Sequence, residues 1–500
     1  MNAVRSPLGF GFAALAALAA LGPASTSVAA QDDVEMLGRP YGARPPAAYH
    51  ELKARNPGAF EFSRGWRARN PRLDRVGEDA RGRPEFRMRA DAGTSGVRRD
   101  TGGPPVFAAL GRRNGVVEGT FRFPLLLGTF ADQVGPAPFS VAEVQREFFD
   151  GPNSRYKTVR EYYDEVSGGR VTLLGETYGW AQAGLTRIET TAGVSALGGR
   201  VGLFIQQLLT SVDDGSIDWG AYDNDGPDGV PNSGDDDGFV DVLAILHPGF
   251  GAECGGAGLE DRVWSHKWSL TDAWFSIPED ERPAEGVFTT QSTSASGGPI
   301  RIDDYTIQPL LSCDASSINE IGVLAHELGH GFGLPDLYCT TSGCASNGIG
   351  RWGLMGSGGW GCGSHDPARP CHLSAWSKAV LGWVEVETLL PDVDHGGLAL
   401  EPVQSSGRVL RIDARDGSDE YFLLENRQAL GFDEGLFSPG LLVWQIDPDF
   451  IAERWPFNSV NGRGDHLGVW LRQADGRLDL EGGVNRADPG DPFPGSTGTT

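Results

Sequence analysis

Two histidines four residues apart, with a glutamate beside the first, form the run His326-Glu327-Leu328-Gly329-His330. On a helix this spacing sets both imidazoles one turn apart on one face. There they can meet a single tetrahedral Zn²⁺ at about 2.0–2.1 Å. Glu327 projects beside that pair and is placed to act as general base on a water held by the metal. Gly333 can adopt a left-handed conformation and turn the chain sharply out of the helix, which lets Asp336 swing back as a third ligand. Three protein ligands leave a fourth position open. Structural zinc sites are usually closed by four, often with cysteine, so this donor set points to hydrolytic chemistry.

The flanking sequence supplies the helix. Ser317-x-x-Glu320 reads as a capping box, and Ile321, Leu324, Ala325 and Leu328 recur at i, i+3, i+4 and i+7 as an apolar stripe. Upstream, RFPLLLGTF around Phe121 reads as a buried strand. Ser140–Phe149 and Lys157–Ser167 read as helices, the second with a capping box at Thr158 and Glu161 and apolar Val159, Tyr162, Tyr163 and Val166. VTLLGETYGW is a further strand and Val201–Leu209 a further apolar-faced helix. From about Val384 the pattern changes to short strands (RVLRIDA, EYFLLENR, GLLVWQID) between Gly and Asp turns. The expected class is α+β, with a zincin-like catalytic domain over 116–390 and a β-rich C-terminal part over 391–500.

Ahead of these lie two segments of different character. Residues 1–30 read as a signal peptide, with Arg5, an apolar run through Leu21 and a small-residue cleavage site at Val28-Ala29-Ala30. Residues 31–115 carry 17 basic and 11 acidic side chains, whereas 116–500 carry 24 and 56. This basic, Arg-, Pro- and Gly-rich stretch reads as a pro-segment that docks on the acidic body, with a carboxylate or a terminal amine blocking the metal. The net charge of −25 excludes a nucleic-acid partner and argues against a membrane surface once the signal is removed. The six cysteines are an even number in an exported chain and imply three disulfides out of 15 pairings. Cys339–Cys344 and Cys362–Cys371 are favoured as short loops, which leaves Cys254–Cys313.

The longer segments HELGHGFGLPDLY, GRWGLMGSGGW, HLSAWSKAVLGW, YFLLENRQALGFD and QADGRLDLEGGVNRADPGDPFPG resemble the immune inhibitor A family of secreted bacterial zinc metallopeptidases over roughly 120–495. The resemblance implies a secreted endopeptidase made as a zymogen. It implies His326, His330 and Asp336 as zinc ligands, Glu327 as the base and protein or peptide substrates, with the pro-segment as inhibitor. Met355, in a Gly-rich turn downstream of the extended motif, matches the Met-turn of metzincins. The chain departs from the family at Cys339, where Asp is frequent, and at Gln445, where His is usual.

Asp223, Asp225, Asp228, Asp237 and Asp241 alternate with glycine turns in an oxygen-rich stretch suited to Ca²⁺, which the resemblance also implies. A second acidic cluster, Asp475, Asp479, Asn485, Asp488 and Asp491, reads as a solvated loop. Trp360, Trp376, His365 and His372 read as structural neighbours of the motif. The competing function is a secreted calcium-binding adhesion or matrix protein with a structural zinc, which the retention of Glu327 argues against.

Overall fold

The strand Gly119–Thr129 is buried continuously from Phe123 to Thr129, as expected of a strand covered on both faces. It lies at the heart of a computed structural model that describes residues 44–56, 58–62, 73–78, 84–88, 116–133, 137–224, 229–234, 236–363, 365–390, 393–414 and 418–499, with backbone alone for 73–78 and 84–88. The expected signal peptide lies outside the described residues, as does most of the expected pro-segment. What is described of the latter is a helix α1 (Ala47–Arg55) and a hairpin of β1 (Leu73–Glu78) and β2 (Pro84–Met88).

The central strand is β3 (Gly119–Thr129). A helical turn α2 (Val141–Gln145) follows, capped by a Ser140–Glu143 box and continued as a π turn through Asp150. Then comes α3 (Val159–Val166), with the expected Thr158–Glu161 box. β4 (Val171–Gln182), α4 (Val201–Val212) and β5 (Leu243–His247) come next. β3 runs parallel to both β4 and β5, so the crossover helices α3 and α4 are required by the topology. β6 (His266–Ser269) and β9 (Asp304–Pro309) complete a sheet of order β4-β3-β5-β9-β6, in which β6 is the antiparallel edge. The small hairpin β7 (Phe288–Thr293) and β8 (Pro299–Ile302) forms its own two-stranded sheet.

Strand alternation divides the core. Leu125 and Leu127 face a cluster that includes Tyr162, Tyr163, Leu324, Leu328 and Phe332, whereas Leu126 faces Phe204, Ile205, Leu208 and Trp268. The first cluster runs on without a break into the C-terminal sheet through Trp383, Leu423, Trp444 and Val469. That sheet is reached through α5 (Ile321–Gly331) and α6 (Ala375–Leu381). Its strands β10 (Glu385–Thr388), β11 (Arg408–Asp413), β12 (Tyr421–Arg427), β13 (Gly440–Ile446) and β14 (Val469–Leu471) lie in chain order, and α7 (Pro448–Arg454) lies between the last two. The three expected disulfides, Cys254–Cys313, Cys339–Cys344 and Cys362–Cys371, are all formed.

One expectation is corrected. Ser317 does not cap the zinc helix, because α5 begins at Ile321 with Glu320 as N-cap and no side-chain cap bond. Ser317 is instead held in a turn, bonded to Ser312 at 3.1 Å, and Glu320 pairs with Arg155 at 2.8 Å.

Buried charge ties the two sheets together. Arg427 on β12 grips Asp433 through Nε at 2.9 Å and Nη2 at 2.7 Å, and donates to the Trp352 carbonyl at 3.2 Å. Asp433 also accepts from the His372 backbone N–H at 3.0 Å. The His372 ring meets Glu165 on α3 at 3.1 Å and Lys378 on α6 at 2.9 Å. Burial disfavours charge on Asp433, yet Arg427 and His372 outweigh it and hold its pKa down to about 2. Burial likewise opposes Glu165, and hydrogen bonds from His372, Lys157 and the Phe432 N–H bring it to about 2.

Removing one partner leaves the other buried and unpaired. Asp433→Ala is therefore expected to cost about 3–5 kcal/mol in denaturant unfolding, and a loss below about 1 kcal/mol would contradict this role. Both carboxylates are depressed in the folded state, so their stabilisation is complete above the ordinary carboxylate range. It should be lost as pH falls through roughly 4.5 towards 2, which thermal unfolding across that window would show.

Candidate metal centre

The helix α5 is buried almost all round, with Ile321, Leu324, Ala325 and Leu328 in the shared core. The Tyr163 hydroxyl donates to the Ala325 carbonyl at 2.7 Å and fixes α5 against α3. Beneath the helix lies the Met355 turn. A Cβ added at Gly329 would stand 2.5 Å from Met355 Sδ, so glycine is what permits this approach. The helix is left through Gly333 at φ 85°, a conformation that favours glycine.

Each imidazole is oriented by a backbone carbonyl. His326 Nδ1 lies 2.8 Å from the Leu354 oxygen, and His330 Nδ1 lies 2.7 Å from the Leu334 oxygen. Since a carbonyl can only accept, each Nδ1 carries a proton, which leaves Nε2 as the atom through which each ring can ligate. The two Nε2 atoms converge on Asp336 Oδ1, at 3.1 Å from His326 and 3.3 Å from His330. A tetrahedral zinc with ligands at about 2.0–2.1 Å has ligand-to-ligand edges of about 3.3–3.4 Å, so this donor set fits the ion. Asp336 is clamped in turn by Asn458, whose Nδ2 donates to Oδ2 at 2.8 Å and whose Oδ1 accepts the Asp336 N–H at 2.7 Å.

Glu327 is buried beside the donors, and its Oε2 has no hydrogen-bond partner. Burial pushes its pKa up to about 7, with Asp336 and Glu253 adding to the rise and the two histidines opposing it. Asp336 is held far below the carboxylate range: its burial is outweighed by His330 and His326. Burial also opposes protonation of His326, but the Asp336 hydrogen bond and the Glu327 charge raise it to about 9 without metal.

A cleft opens over these residues. Glu253, Trp264, Ser265, Val323, Tyr338 and Trp360 contribute to its lining, as do Arg44, Pro45 and His50 from the N-terminal segment. Of the neighbours singled out in the sequence, Trp360 reaches the cleft. Trp376 packs on Trp455 at 5.2 Å, His365 pairs with Arg351, and His372 belongs to the buried charge network. Asn458 and Glu253 carried no sequence signal, since neither belongs to a motif or lies near the zinc helix in the chain.

In the first acidic loop, Asp223 and Asp241 are buried and Asp223 accepts the Gly238 N–H at 3.0 Å. Asp237 turns back on the Phe239 N–H at 3.0 Å. Asp225 and Asp228 lie outside the described residues. Among the described residues, Asp223, Asp237 and Asp241 do not gather as a three-carboxylate cluster.

A helix-borne His pair closed by a downstream aspartate, with a buried glutamate beside it and a cleft above, defines a metallopeptidase catalytic domain. Residues 143–384 match the family described as immune inhibitor A peptidase M6, catalytic domain, so a domain of that family occupies just under half of this chain. It is 32% identical over 216 residues to immune inhibitor A of Bacillus thuringiensis subsp. alesti, covering 41% of this chain and 29% of that protein. It is 28% identical over 260 residues to the pre-pro-metalloprotease PrtV of Vibrio cholerae serotype O1 (strain M66-2), covering 50% of this chain and 26% of that one. The matched region is thus less than a third of either relative. No helix among the described residues is long and apolar enough to cross a membrane.

Two outcomes follow from the Asn458 clamp and the raised His326. Asn458→Ala should weaken zinc binding by about 10–100-fold in chelator competition, and unchanged affinity would remove Asn458 from the centre. Zinc binding near pH 7 should release at least about one proton, because His326 must lose the one it holds below about 9 and Glu327, raised to about 7, holds part of another. Calorimetry in buffers of different ionisation enthalpy measures that number directly.

Proposed function

We propose that this chain is a secreted zinc endopeptidase made as a zymogen. The observation that carries the reading is the pair of Nε2 atoms facing Asp336 Oδ1, with the partnerless Oε2 of Glu327 beside them. Zinc held by His326, His330 and Asp336 would polarise the scissile carbonyl and acidify a water. Glu327 would take the water proton and hand it to the leaving amine. A carboxyl whose pKa is raised towards neutrality is suited to both transfers. The Met355 turn would hold the donors from below. Trp264 and Ser265 line the cleft and lead directly into the edge strand β6, and a strand edge can pair with an extended peptide.

Latency is assigned to the N-terminal segment. Its residues 44–56 and 58–62 lie against this same ground. Tyr49 stacks on Phe60 at 4.7 Å, and Phe60 packs on Trp268 at 4.8 Å and His266 at 5.6 Å, both on β6. Leu52 and Ala59 are fully buried with them, and Lys53 Nζ reaches the Phe457 carbonyl at 3.1 Å. Apolar burial therefore carries much of this contact, beyond the charge attraction expected from sequence. Tyr49 is buried with no partner for its hydroxyl, within the field of Asp336 and Glu327. In this reading a phenol, rather than a carboxylate or terminal amine, faces the centre. Export rests on the signal-like residues 1–30. Calcium at the Asp223 loop is supported by the burial of Asp223 and Asp241 at the two ends of a Gly-rich stretch, joined by the Asp241 N–H to the Tyr222 carbonyl at 2.8 Å.

The test is cleavage of an unfolded protein by the zinc-loaded chain after removal of residues 31–115. Glu327→Gln should lower the rate by about 10²–10⁴-fold with zinc retained, whereas undiminished cleavage would sink the proposal. In the uncleaved chain, Tyr49→Ala combined with Phe60→Ala should raise basal activity. Continued silence of that variant would remove the segment's contact from the latency mechanism.

A further inference from the structure

One acid of the cleft wall has no part in the steps above. Glu253 is 4% exposed and lines the cleft together with Glu327, Trp264 and Ser265. It stands on the short turn Ala252–Cys254, which is pinned on two sides. The Ala252 N–H donates to the Val263 carbonyl at 2.9 Å, and the Cys254–Cys313 disulfide ties the turn to the loop that leads into α5. The carboxylate folds back over Gly251, where an added Cβ would stand 2.2 Å from Oε2. Neutral donors alone answer it: the Ser265 hydroxyl reaches Oε1 at 2.5 Å and the Ser265 N–H reaches Oε2 at 3.4 Å.

A buried carboxylate placed in this way is half of an interaction. Among the described residues no Lys, Arg or His forms an ion pair with Glu253. Burial raises its pKa and the Ser265 bonds oppose the rise. Its charge also adds to the rise at Glu327, which sets the two carboxyls in one electrostatic neighbourhood. The lining around it suits a long side chain, since Trp264 and Trp360 offer indole surface and Val323 an apolar one. Of the cations in the same lining, Arg44 is turned to the Gly483 carbonyl at 3.4 Å, and Arg486 comes from the loop after β14.

We propose that Glu253 is a specificity-determining residue that selects substrates carrying a lysine or arginine side chain close to the scissile bond. The inference rests on the endopeptidase reading above. An ammonium or guanidinium group would form a charge-assisted pair with the oriented carboxylate, its methylene stem lying along the Trp264 indole. Ser265 is the positioning partner, because its hydroxyl and N–H fix the direction of the carboxylate. It immediately precedes β6, so a peptide paired with that strand edge would carry its side chains past Glu253. The charge of the body favours the same guests. Residues 116–500 carry 24 basic and 56 acidic side chains, a field that draws cationic peptides towards the cleft.

The test uses the zinc-loaded chain freed of residues 31–115 and matched pairs of internally quenched peptides. Within a pair, one position flanking the scissile bond holds either lysine or N-acetyl-lysine, which keeps the length and removes the charge. A separate pair serves each flanking position. Wild type should cleave the lysine member with a kcat/KM about tenfold or more above its partner in at least one pair. Glu253→Gln is isosteric and can still accept from the Ser265 hydroxyl, so it should fold, and in it that ratio should fall towards unity. Ser265→Ala serves as the second variant: loss of the bond that orients the carboxylate should narrow the same ratio. Equal cleavage of every pair by wild type refutes the selection and leaves the endopeptidase reading standing. Cleavage of neither the peptides nor an unfolded protein refutes both. If the variants slow both members alike and keep the wild-type ratio, Glu253 merely shapes the cleft and the proposal falls.

Discussion

The carboxylate of Asp336 is almost completely buried, and its position between two imidazoles is the constraint on which the rest of the molecule depends. A buried charge is tolerated only when each of its lone pairs is answered. One oxygen faces the histidine nitrogens and the other accepts a hydrogen bond from Asn458 Nδ2. Each imidazole is set by a carbonyl of a separate turn, Leu354 below and Leu334 behind. The candidate centre is therefore specified less by α5 than by three loops that must all arrive in register.

Those loops are held by two kinds of force. One apolar core extends from β3 through α5 to β13 and β14, so the catalytic sheet and the C-terminal sheet cannot be separated without exposing it. Within that core the Arg427–Asp433–His372–Glu165 network supplies direction, which apolar packing alone lacks. Arg427 donates to the Trp352 carbonyl while the indole of the same residue donates to Asp491. The segment leading into the Met355 turn is thus gripped from two sides.

Much of this was legible in the sequence wherever the signal was local. The i, i+4 histidines, the Thr158–Glu161 capping box and the buried strand from Phe123 are patterns within a dozen residues, and local geometry decides them. The two short disulfide loops were legible for the same reason, and the third followed by elimination. The Ser317 box failed because Arg155 and Ser312, distant in fold and turn respectively, compete for the groups it needed. Asn458 and Glu253 were invisible because a contact across more than a hundred residues, or one made through a cleft wall, leaves no period to read. The acidic loop at 475–491 looked like ordinary solvated surface. Asn485, Asp488 and Asp491 are nevertheless buried.

The clamp on Asp336 comes from a residue 122 positions further along the chain. Synthesis runs from the N-terminus, so α5 and both histidines exist long before Asn458 does, and the loop that backs Trp352 is made later still. A nascent or truncated chain thus carries every residue of the His-Glu-His motif and still lacks the residue that clamps Asp336. The order of manufacture works as an interlock: the centre matures only in a chain that has been made past these positions.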